Sequence, residues 1–240
     1  MIEGKNLTYK YGFGTKNAEI NNVSVEIKKG YLTCLLGHNG AGKTTLLKLL
    51  NGQLLPKEGE VYVNGQKLTK KALNEVRKHV AYVSSSCVLF NDNSCKFNKE
   101  LLEALCVRFN DEEFNRILEK FGFDMENLNA PIKELSTGER MQFQIALQLS
   151  KDTEYVIMDE PFANLDPVVK ERIMEVLHEK ITKDNVGICL STHLIDEIDD
   201  ETDYVIMIDD GVVKESGDRE TLFEKYGVTD LKSLFRKIGK

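Results

Sequence analysis

The sequence lacks any long hydrophobic run. No segment of the 240 residues approaches the ~18 consecutive apolar residues that a membrane-spanning helix requires. The N-terminus also lacks the apolar core of a signal peptide, so we expect a protein that is made and kept in the cytosol. Acidic residues outnumber basic ones by 39 to 32, a formal charge of −7, and this balance argues against a nucleic-acid coat protein or a polybasic membrane-surface binder.

Cysteine and proline are both scarce. The five cysteines are odd in number and form no Cys-x-x-Cys pair, so the sequence indicates neither a disulfide framework nor a zinc site. Cys34 and Cys189 lie within apolar runs and are predicted to be buried. With four prolines and no Pro/Gly/Ser-rich linker, the chain is predicted to form a single domain over residues 1–240.

Short apolar runs alternate with longer amphipathic stretches, and this alternation indicates an α/β architecture. Alternation around an Asn-Gly pair in Glu60–Leu68 predicts a hairpin in an antiparallel flank. Four other runs are nearly continuous in apolar residues, as in strands buried on both faces of a sheet. They are Tyr31–Leu36, Tyr155–Met158, Val186–Leu190 and Tyr204–Ile208.

Between residues 86 and 151 the strand-like runs disappear, and amphipathic patterns take their place. The predicted helices are Lys99–Phe109, Glu112–Phe121 and Ser136–Ser150. We therefore expect a helical subdomain over 86–151, inserted into an α/β core formed by 1–85 and 152–220. Apolar residues at helical spacing near the C-terminus predict a helical tail over 221–240.

One glycine-rich segment carries a strong phosphate-binding signal. It fits the pattern G-x-x-x-x-G-K-[ST] and lies between a predicted strand and a predicted helix, the context that this motif requires. Its glycines let successive backbone N–H groups point at an anion, and the helix adds the positive end of its dipole. Lys43 supplies a charge for the β- and γ-phosphates, and the Thr44 hydroxyl can ligate Mg²⁺. The predicted nucleotide-binding residues are Gly37, His38, Asn39, Gly40, Ala41, Gly42, Lys43, Thr44 and Thr45.

A second signal is the apolar run Tyr155–Met158, which ends in two adjacent carboxylates, Asp159 and Glu160. Clustered carboxylates repel one another and are costly to desolvate, so a buried strand rarely ends in this way without a reason. In a phosphate-loop protein, Asp159 would hold Mg²⁺ through its water shell. Glu160 would be catalytic, since it could orient or deprotonate the water that attacks the γ-phosphate. A solvated strand end is the alternative.

A third segment, Leu135–Glu139 (LSTGE), is similar to the LSGGQ signature of the nucleotide-binding (ATPase) subunits of ABC transporters. The sequence resembles those subunits over nearly its whole length. The resemblance implies an α/β fold with a P-loop NTPase (RecA-like) core, an antiparallel β flank and an inserted helical subdomain. In isolation, Ser136 followed by Glu139 would be an ordinary helix capping box.

The resemblance also implies a head-to-tail dimer, in which each ATP lies between the phosphate loop of one subunit and the signature of the other. Ser136, Gly138 and Glu139 would then complete the site of a second ATPase subunit, identical or different. A separate transmembrane permease would be the other partner, and the chain would be cytoplasmic, on the inner face of the cell membrane. No nucleic-acid partner is expected.

Further single residues match the family pattern or depart from it. Asp166 is similar to the D-loop aspartate at the dimer interface, and His193 to the switch histidine that contacts the γ-phosphate. Tyr11 is similar to the aromatic residue that stacks on adenine, with Tyr9 as a nearby competitor. Ser85 stands where the family usually has a glutamine that reaches Mg²⁺ and the attacking water. A serine hydroxyl is shorter and would need a bridging water, which affects hydrolysis and coupling rather than ATP binding.

These observations leave three functions open. The first is an ATPase subunit that drives transport through a separate membrane subunit, and its phosphate loop and short tail are most similar to those of small bacterial exporters. The second is a soluble ABC-type ATPase without a membrane partner, for example in cluster assembly. The third is a nucleotide-sensing subunit with slow turnover, which Ser85 favours and which Glu160 and His193 argue against.

Overall fold

Alternating apolar residues place one face of an antiparallel sheet in the core. The computed structural model describes residues 1–12, 19–84, 89–105, 108–163, 165–193, 195, 198 and 200–239. In these residues the strands β1 (Ile2–Tyr9), β2 (Ile20–Ile27), β4 (Glu58–Val63) and β5 (Gln66–Lys67) form a sheet in the order β2-β1-β4-β5. Asn64 and Gly65 turn the chain from β4 to β5 with φ of 52° and 78°, the left-handed backbone of a tight hairpin. The predicted antiparallel flank is confirmed.

The continuous apolar runs form a second sheet, which is parallel except at one edge. Its described strands are β3 (Leu32–Leu36), β6 (Val80–Val83), β7 (Tyr155–Asp159), β8 (Gly187–Thr192), β9 (Tyr204–Asp209) and β10 (Val212–Asp218). The order is β10-β9-β3-β8-β7-β6, and β10 is antiparallel to β9. All four buried strands predicted from the sequence are present, with ends shifted by one or two residues. Because parallel strands end at the same edge, β3, β7 and β8 bring the residues that follow them together.

Side chains alternate between two hydrophobic clusters on the faces of this parallel sheet. On β7, Val156 and Met158 belong to one cluster, while Tyr155 and Ile157 belong to the other. The first cluster also contains Phe114 and Phe143 of the helical region, whose rings meet edge-on at 5.9 Å. The second contains the buried residues of the antiparallel sheet. The period of two along each strand therefore lets one sheet support both the helices and the antiparallel flank.

Two of the three helices predicted between residues 86 and 151, Glu112–Phe121 and Ser136–Ser150, are present with ends shifted by at most one residue. The described helices are α1 (Lys43–Leu50), α2 (Leu73–Arg77), α3 (Cys95–Leu105), α4 (Asp111–Phe121), α5 (Thr137–Leu149), α6 (Pro167–Asp184), α7 (Arg219–Tyr226) and α8 (Leu231–Ile238). Among the residues described, none of the helices is both long and apolar enough to cross a bilayer.

The predicted helix Lys99–Phe109 has the wrong bounds, because α3 (Cys95–Leu105) begins four residues earlier and Phe109 is not helical. Ser94 sets the start, since its hydroxyl accepts the N–H of Phe97 at 3.1 Å. Phe109 instead forms an isolated β-bridge.

A network of charged side chains joins α4 to α6. Arg116 donates to both oxygens of Glu113, at 2.7 and 2.9 Å, and to Glu179 at 3.0 Å. Lys180 also pairs with Glu113, at 2.8 Å, and Lys120 with Glu179, at 2.5 Å. The hydrogen bonds from Arg116 lower the pKa of Glu113 from 4.5 to about 2, and that from Lys120 does the same for Glu179. Both carboxylates are thus held in the ionised form.

We expect the free energy of unfolding of the Glu113→Gln variant to fall less at acid pH than that of the wild type. Because the pKa of Glu113 is lower in the folded state, its stabilisation is complete above the unfolded value of 4.5 and is lost as the pH falls towards about 2. Urea unfolding at about pH 6 and about pH 3 should therefore show a smaller stability difference in the variant than in the wild type. Glu112→Gln, at an exposed position of the same helix, is the control. Equal pH dependence in wild type and Glu113→Gln would contradict the prediction.

Candidate functional site

Glycines shape the loop that connects β3 to α1. Gly40 and Gly42 have φ of 87° and 109°, a backbone conformation that only glycine adopts at little cost. At Gly37, a Cβ atom would lie 2.4 Å from the carbonyl oxygen of Ile208 in β9. The loop thus passes close to the neighbouring strand and then opens α1, as the phosphate-loop prediction requires.

Lys43, the first residue of α1, has its ammonium group within this loop. Its Nζ donates to the carbonyl oxygens of Gly37, at 2.7 Å, and His38, at 3.3 Å, and lies 3.3 Å from a carboxylate oxygen of Glu160. The side chain is only 7% exposed. A buried ammonium that is held by carbonyl oxygens and one carboxylate can exchange that carboxylate for a phosphate oxygen.

Thr44, the next residue, reaches the acidic end of β7. Its hydroxyl donates to the two carboxylate oxygens of Asp159, at 2.9 and 3.1 Å. Ser191, at the end of the adjacent strand β8, donates to the same carboxylate at 2.8 Å. Asp159 is only 1% exposed, so these hydroxyl groups offset part of the cost of burying its charge.

Glu160 stands where the chain leaves β7 with a positive φ of 51°. Such a backbone costs a non-glycine residue about 1–2 kcal/mol and is concentrated at functional sites. Its N–H donates to both the hydroxyl and the carbonyl oxygen of Ser191, at 3.0 and 3.2 Å. Its carboxylate lies between Lys43, at 3.3 Å, and Nδ1 of His193, at 2.8 Å. The turn therefore sets Glu160 between a cation and the predicted switch histidine.

Ser191 is the functional residue that sequence reasoning missed. It is fully buried, and its hydroxyl bridges Asp159 and the backbone of Glu160. Its position two residues before His193, at the end of an apolar run, was the available signal. That signal shows only that a small polar residue ends the strand, and not which carboxylate it contacts.

Tyr11 also lies beside α1. Its hydroxyl is 3.4 Å from the hydroxyl of Thr45, and its ring meets that of Tyr9 edge-on at 5.0 Å. The aromatic residue predicted to contact adenine is thus next to the phosphate loop, with its predicted competitor in contact with it.

The signature residues form the capping box at the start of α5. The Ser136 hydroxyl accepts the N–H of Glu139 at 3.2 Å, and the Glu139 carboxylate accepts the N–H of Ser136 at 2.9 Å. A Cβ atom on Gly138 would lie 3.8 Å from the side chain of Leu165, which precedes Asp166. The signature and the predicted D-loop are therefore neighbours.

Asp166 itself caps α6, because its carboxylate accepts the N–H of Val168 at 2.8 Å. In the part of the chain that the structure describes, no hydrogen bond of Ser136, Glu139 or Asp166 reaches the phosphate loop. The position of Ser85 lies outside the described residues.

Comparison with known proteins shows the family of the chain. The sequence profile of the ABC transporter family matches residues 20–163. The chain belongs to the ABC transporter family. Within that family it is 32% identical, over its whole length, to a Methanosarcina mazei protein named as an ABC transporter ATP-binding protein, of which it spans only 52%. It is also 32% identical to the energy-coupling factor transporter ATP-binding protein EcfA2 of Streptococcus sanguinis, with 92% of this chain and 82% of the relative covered.

Solved structures of the family share the fold. One ATP-binding subunit of an ABC transporter matches 100% of both chains, with a TM-score of 0.88 and 25% identity. The dimeric post-hydrolysis state of an ATP-binding cassette with ADP and Pi matches 91% of this chain and 99% of the other, with a TM-score of 0.82 and 25% identity. These likenesses confirm the predicted P-loop NTPase fold, and the chain is an ABC ATPase.

We expect Ser191→Ala to lower the free energy of unfolding by ~1–3 kcal/mol, because it leaves a buried carboxylate with one hydrogen bond fewer. Ser191→Thr, which keeps the hydroxyl, should stay close to the wild type. Thr33→Val is the matched control, since the Thr33 hydroxyl is buried in β3 without a hydrogen-bond partner among the described residues. Urea unfolding of the three variants measures the effect. Equal losses in Ser191→Ala and Thr33→Val would show that the Ser191 hydroxyl has no special role.

Proposed function

We propose that this chain binds and hydrolyses ATP in a head-to-tail dimer and thereby drives transport through a separate membrane subunit. One observation carries the proposal: the phosphate loop and the acidic end of β7 meet, with Thr44 at 2.9 Å from Asp159 and Lys43 at 3.3 Å from Glu160. A cation, a hydroxyl and two carboxylates at a helix N-terminus are the groups that phosphoryl transfer to water requires.

ATP binding rests on the phosphate loop. The β- and γ-phosphates would take the place of Glu160 as the anionic partner of Lys43, while the loop and α1 offer backbone N–H groups. Lys43 and Thr44 are the first two residues of α1, and of these Thr44 is exposed and Lys43 is buried. A nucleotide therefore has access from the side of Thr44. The adenine would stack on Tyr11.

The residues fit a bound Mg²⁺. Thr44 and Asp159 provide hydroxyl and carboxylate oxygens, the ligand type that Mg²⁺ prefers. The Thr44 hydroxyl and the Asp159 carboxylate are 2.9 and 3.1 Å apart, so both oxygen groups would face the same ion, Thr44 as a ligand and Asp159 through the water shell of the metal. The metal would neutralise charge on the phosphates.

Hydrolysis would depend on Glu160. Its carboxylate would accept a proton from the attacking water as the γ-phosphate separates from ADP. Two contacts fix the orientation of that carboxylate. Nδ1 of His193 lies 2.8 Å from it, and the backbone N–H of Glu160 donates to Ser191. Because the phosphate displaces Glu160 from Lys43, ATP binding itself would release the base for the attack.

The position of the signature supports the dimer. In the described residues Ser136 and Glu139 contact each other rather than the phosphate loop, so a second chain would have to present them to the bound ATP. The dimeric cassette with ADP and Pi, to which the chain is similar, supports this arrangement. The partner is a second ATPase subunit, homomeric or heteromeric.

The membrane partner rests on the family. The chain is similar to proteins named as ATP-binding subunits of transporters, and a permease in a separate subunit would place it at the inner face of the membrane. The exporter direction stays a prediction from the phosphate loop and the tail.

We expect the Glu160→Gln variant to bind ATP without hydrolysing it and to accumulate as a dimer, because the site closes while the water is not activated. Light scattering with and without ATP measures the change in mass. Lys43→Ala should show neither ATP binding in calorimetry nor an ATP-dependent dimer. Glu171→Gln, at an exposed position of α6, should behave like the wild type. If Glu160→Gln remains monomeric with ATP, the site is not formed by two copies of this chain.

A tagged chain purified from gently solubilised cells should carry a polytopic membrane protein in stoichiometric amount. Mass spectrometry identifies that partner, and the Glu160→Gln variant with ATP repeats the measurement in the trapped state. Soluble partners alone, in both states, would reject the transporter role and favour a soluble ABC-type ATPase.

A further inference from the structure

The C-terminal helix α8 touches the phosphate loop directly. The rings of Phe235 and His38 meet edge-on, with centroids 4.9 Å apart and an angle of 67° between their planes. This is a favourable geometry for two aromatic rings. A residue close to the C-terminus therefore contacts the second position of the loop that is proposed to bind phosphate.

The helix that carries Phe235 is firmly anchored. Leu231 and Leu234 are fully buried in the large cluster on the helical face of the sheet. Asp230 caps the helix by accepting the N–H of Ser233 at 2.7 Å, and Lys237 donates to the carbonyl oxygen of Tyr226 in α7. The position of Phe235, adjacent to Leu234, is thus set by the core of the protein.

The backbone of His38 is held by Lys43 and Ala41, whose nitrogens donate to its carbonyl oxygen at 3.3 and 3.0 Å, but the side chains of this part of the loop are open to solvent. His38, Asn39 and Gly40 are exposed, and the φ of Gly40 is 87°. A glycine-rich segment of this kind has many accessible conformations, so that holding one of them costs entropy. The contact with Phe235 supplies a fixed point at the tip of the loop.

Phe235 also shares a cavity with the predicted switch histidine. A cavity of about 230 Å³ is lined by the phosphate loop, His193 and Phe235. One aromatic side chain of α8 therefore borders both the loop and the histidine that contacts Glu160.

We propose that Phe235 is a positioning residue for nucleotide binding, which holds His38 and thereby keeps the phosphate loop in its binding conformation. This inference rests on the proposed ATP site. Preorganisation of a loop improves affinity because less ordering remains to be done on binding. The free energy of an aromatic pair limits the effect of its loss on affinity to about tenfold, and this limit is approached when the loop without the pair is largely disordered.

The test is the dissociation constant of Mg-ADP, measured by calorimetry on the full chain, together with KM and kcat for ATP. Phe235→Ala should raise the dissociation constant about three- to tenfold, and KM with it, and should leave kcat nearly unchanged. Phe235→Tyr, which keeps the ring, should bind like the wild type. Phe235→Leu keeps aliphatic packing without the ring and should weaken binding even if the alanine variant does not fold.

Phe223→Ala is the matched control for stability. Phe223 lies on α7, packs against the same hydrophobic cluster as Phe235 and has the guanidinium of Arg219 over its ring at 4.6 Å. Its truncation should destabilise the fold to a similar extent in urea and leave the dissociation constant unchanged.

His38→Ala should weaken binding as much as Phe235→Ala, and the double variant no more than either one, because both remove the same contact. An unchanged dissociation constant in Phe235→Leu and His38→Ala, or an equal effect in Phe223→Ala, would overturn the inference. Failure of the wild type itself to bind Mg-ADP would instead overturn the proposed ATP site.

Discussion

A buried carboxylate is the constraint on which the site depends. Asp159 is 1% exposed at the end of a strand, and an ionised group in such a place is stable only if hydrogen bonds replace its lost water. Two hydroxyls do so, that of Thr44 from α1 and that of Ser191 from β8. The charge of Asp159 therefore ties together a helix and two strands that are distant in sequence.

The strand order brings the partners of Asp159 together. β8 lies between β3 and β7, so the loop after β3 and the carboxylates after β7 are one strand apart at the same edge. Ser191, the next-to-last residue of β8, lies on the strand that separates them and bridges Asp159 to the backbone of Glu160. The strained turn at Glu160, with φ of 51°, is held by this bridge and directs the carboxylate towards Lys43. The same hydroxyl of Ser191 thus stabilises the charge of Asp159 and the backbone turn at Glu160.

Local sequence patterns predicted most of the fold because their physics is local. The glycine loop, the Asn64-Gly65 hairpin, the capping box of Ser136 and the continuous apolar strands each depend on residues close in the chain. The start of α3 was missed because an amphipathic count does not register that Ser94 can cap a helix. The contacts Ser191–Asp159 and His38–Phe235 could not be predicted, since each joins segments that only the completed fold brings together.

The difference between local patterns and contacts between distant segments also explains why the motifs were easier to predict from the sequence than their roles in the site. Ser136, Glu139 and Asp166 satisfy backbone N–H groups of their own chain, which is reason enough for these residue types at helix starts. Helix capping does not explain why Gly138 lies next to Leu165. This proximity makes the signature and the predicted D-loop one surface. The capping hydrogen bonds of both segments are already made within the chain. The remaining interactions of this surface, the helix dipole of α5 above all, are therefore available to the ligand that we propose a second subunit holds.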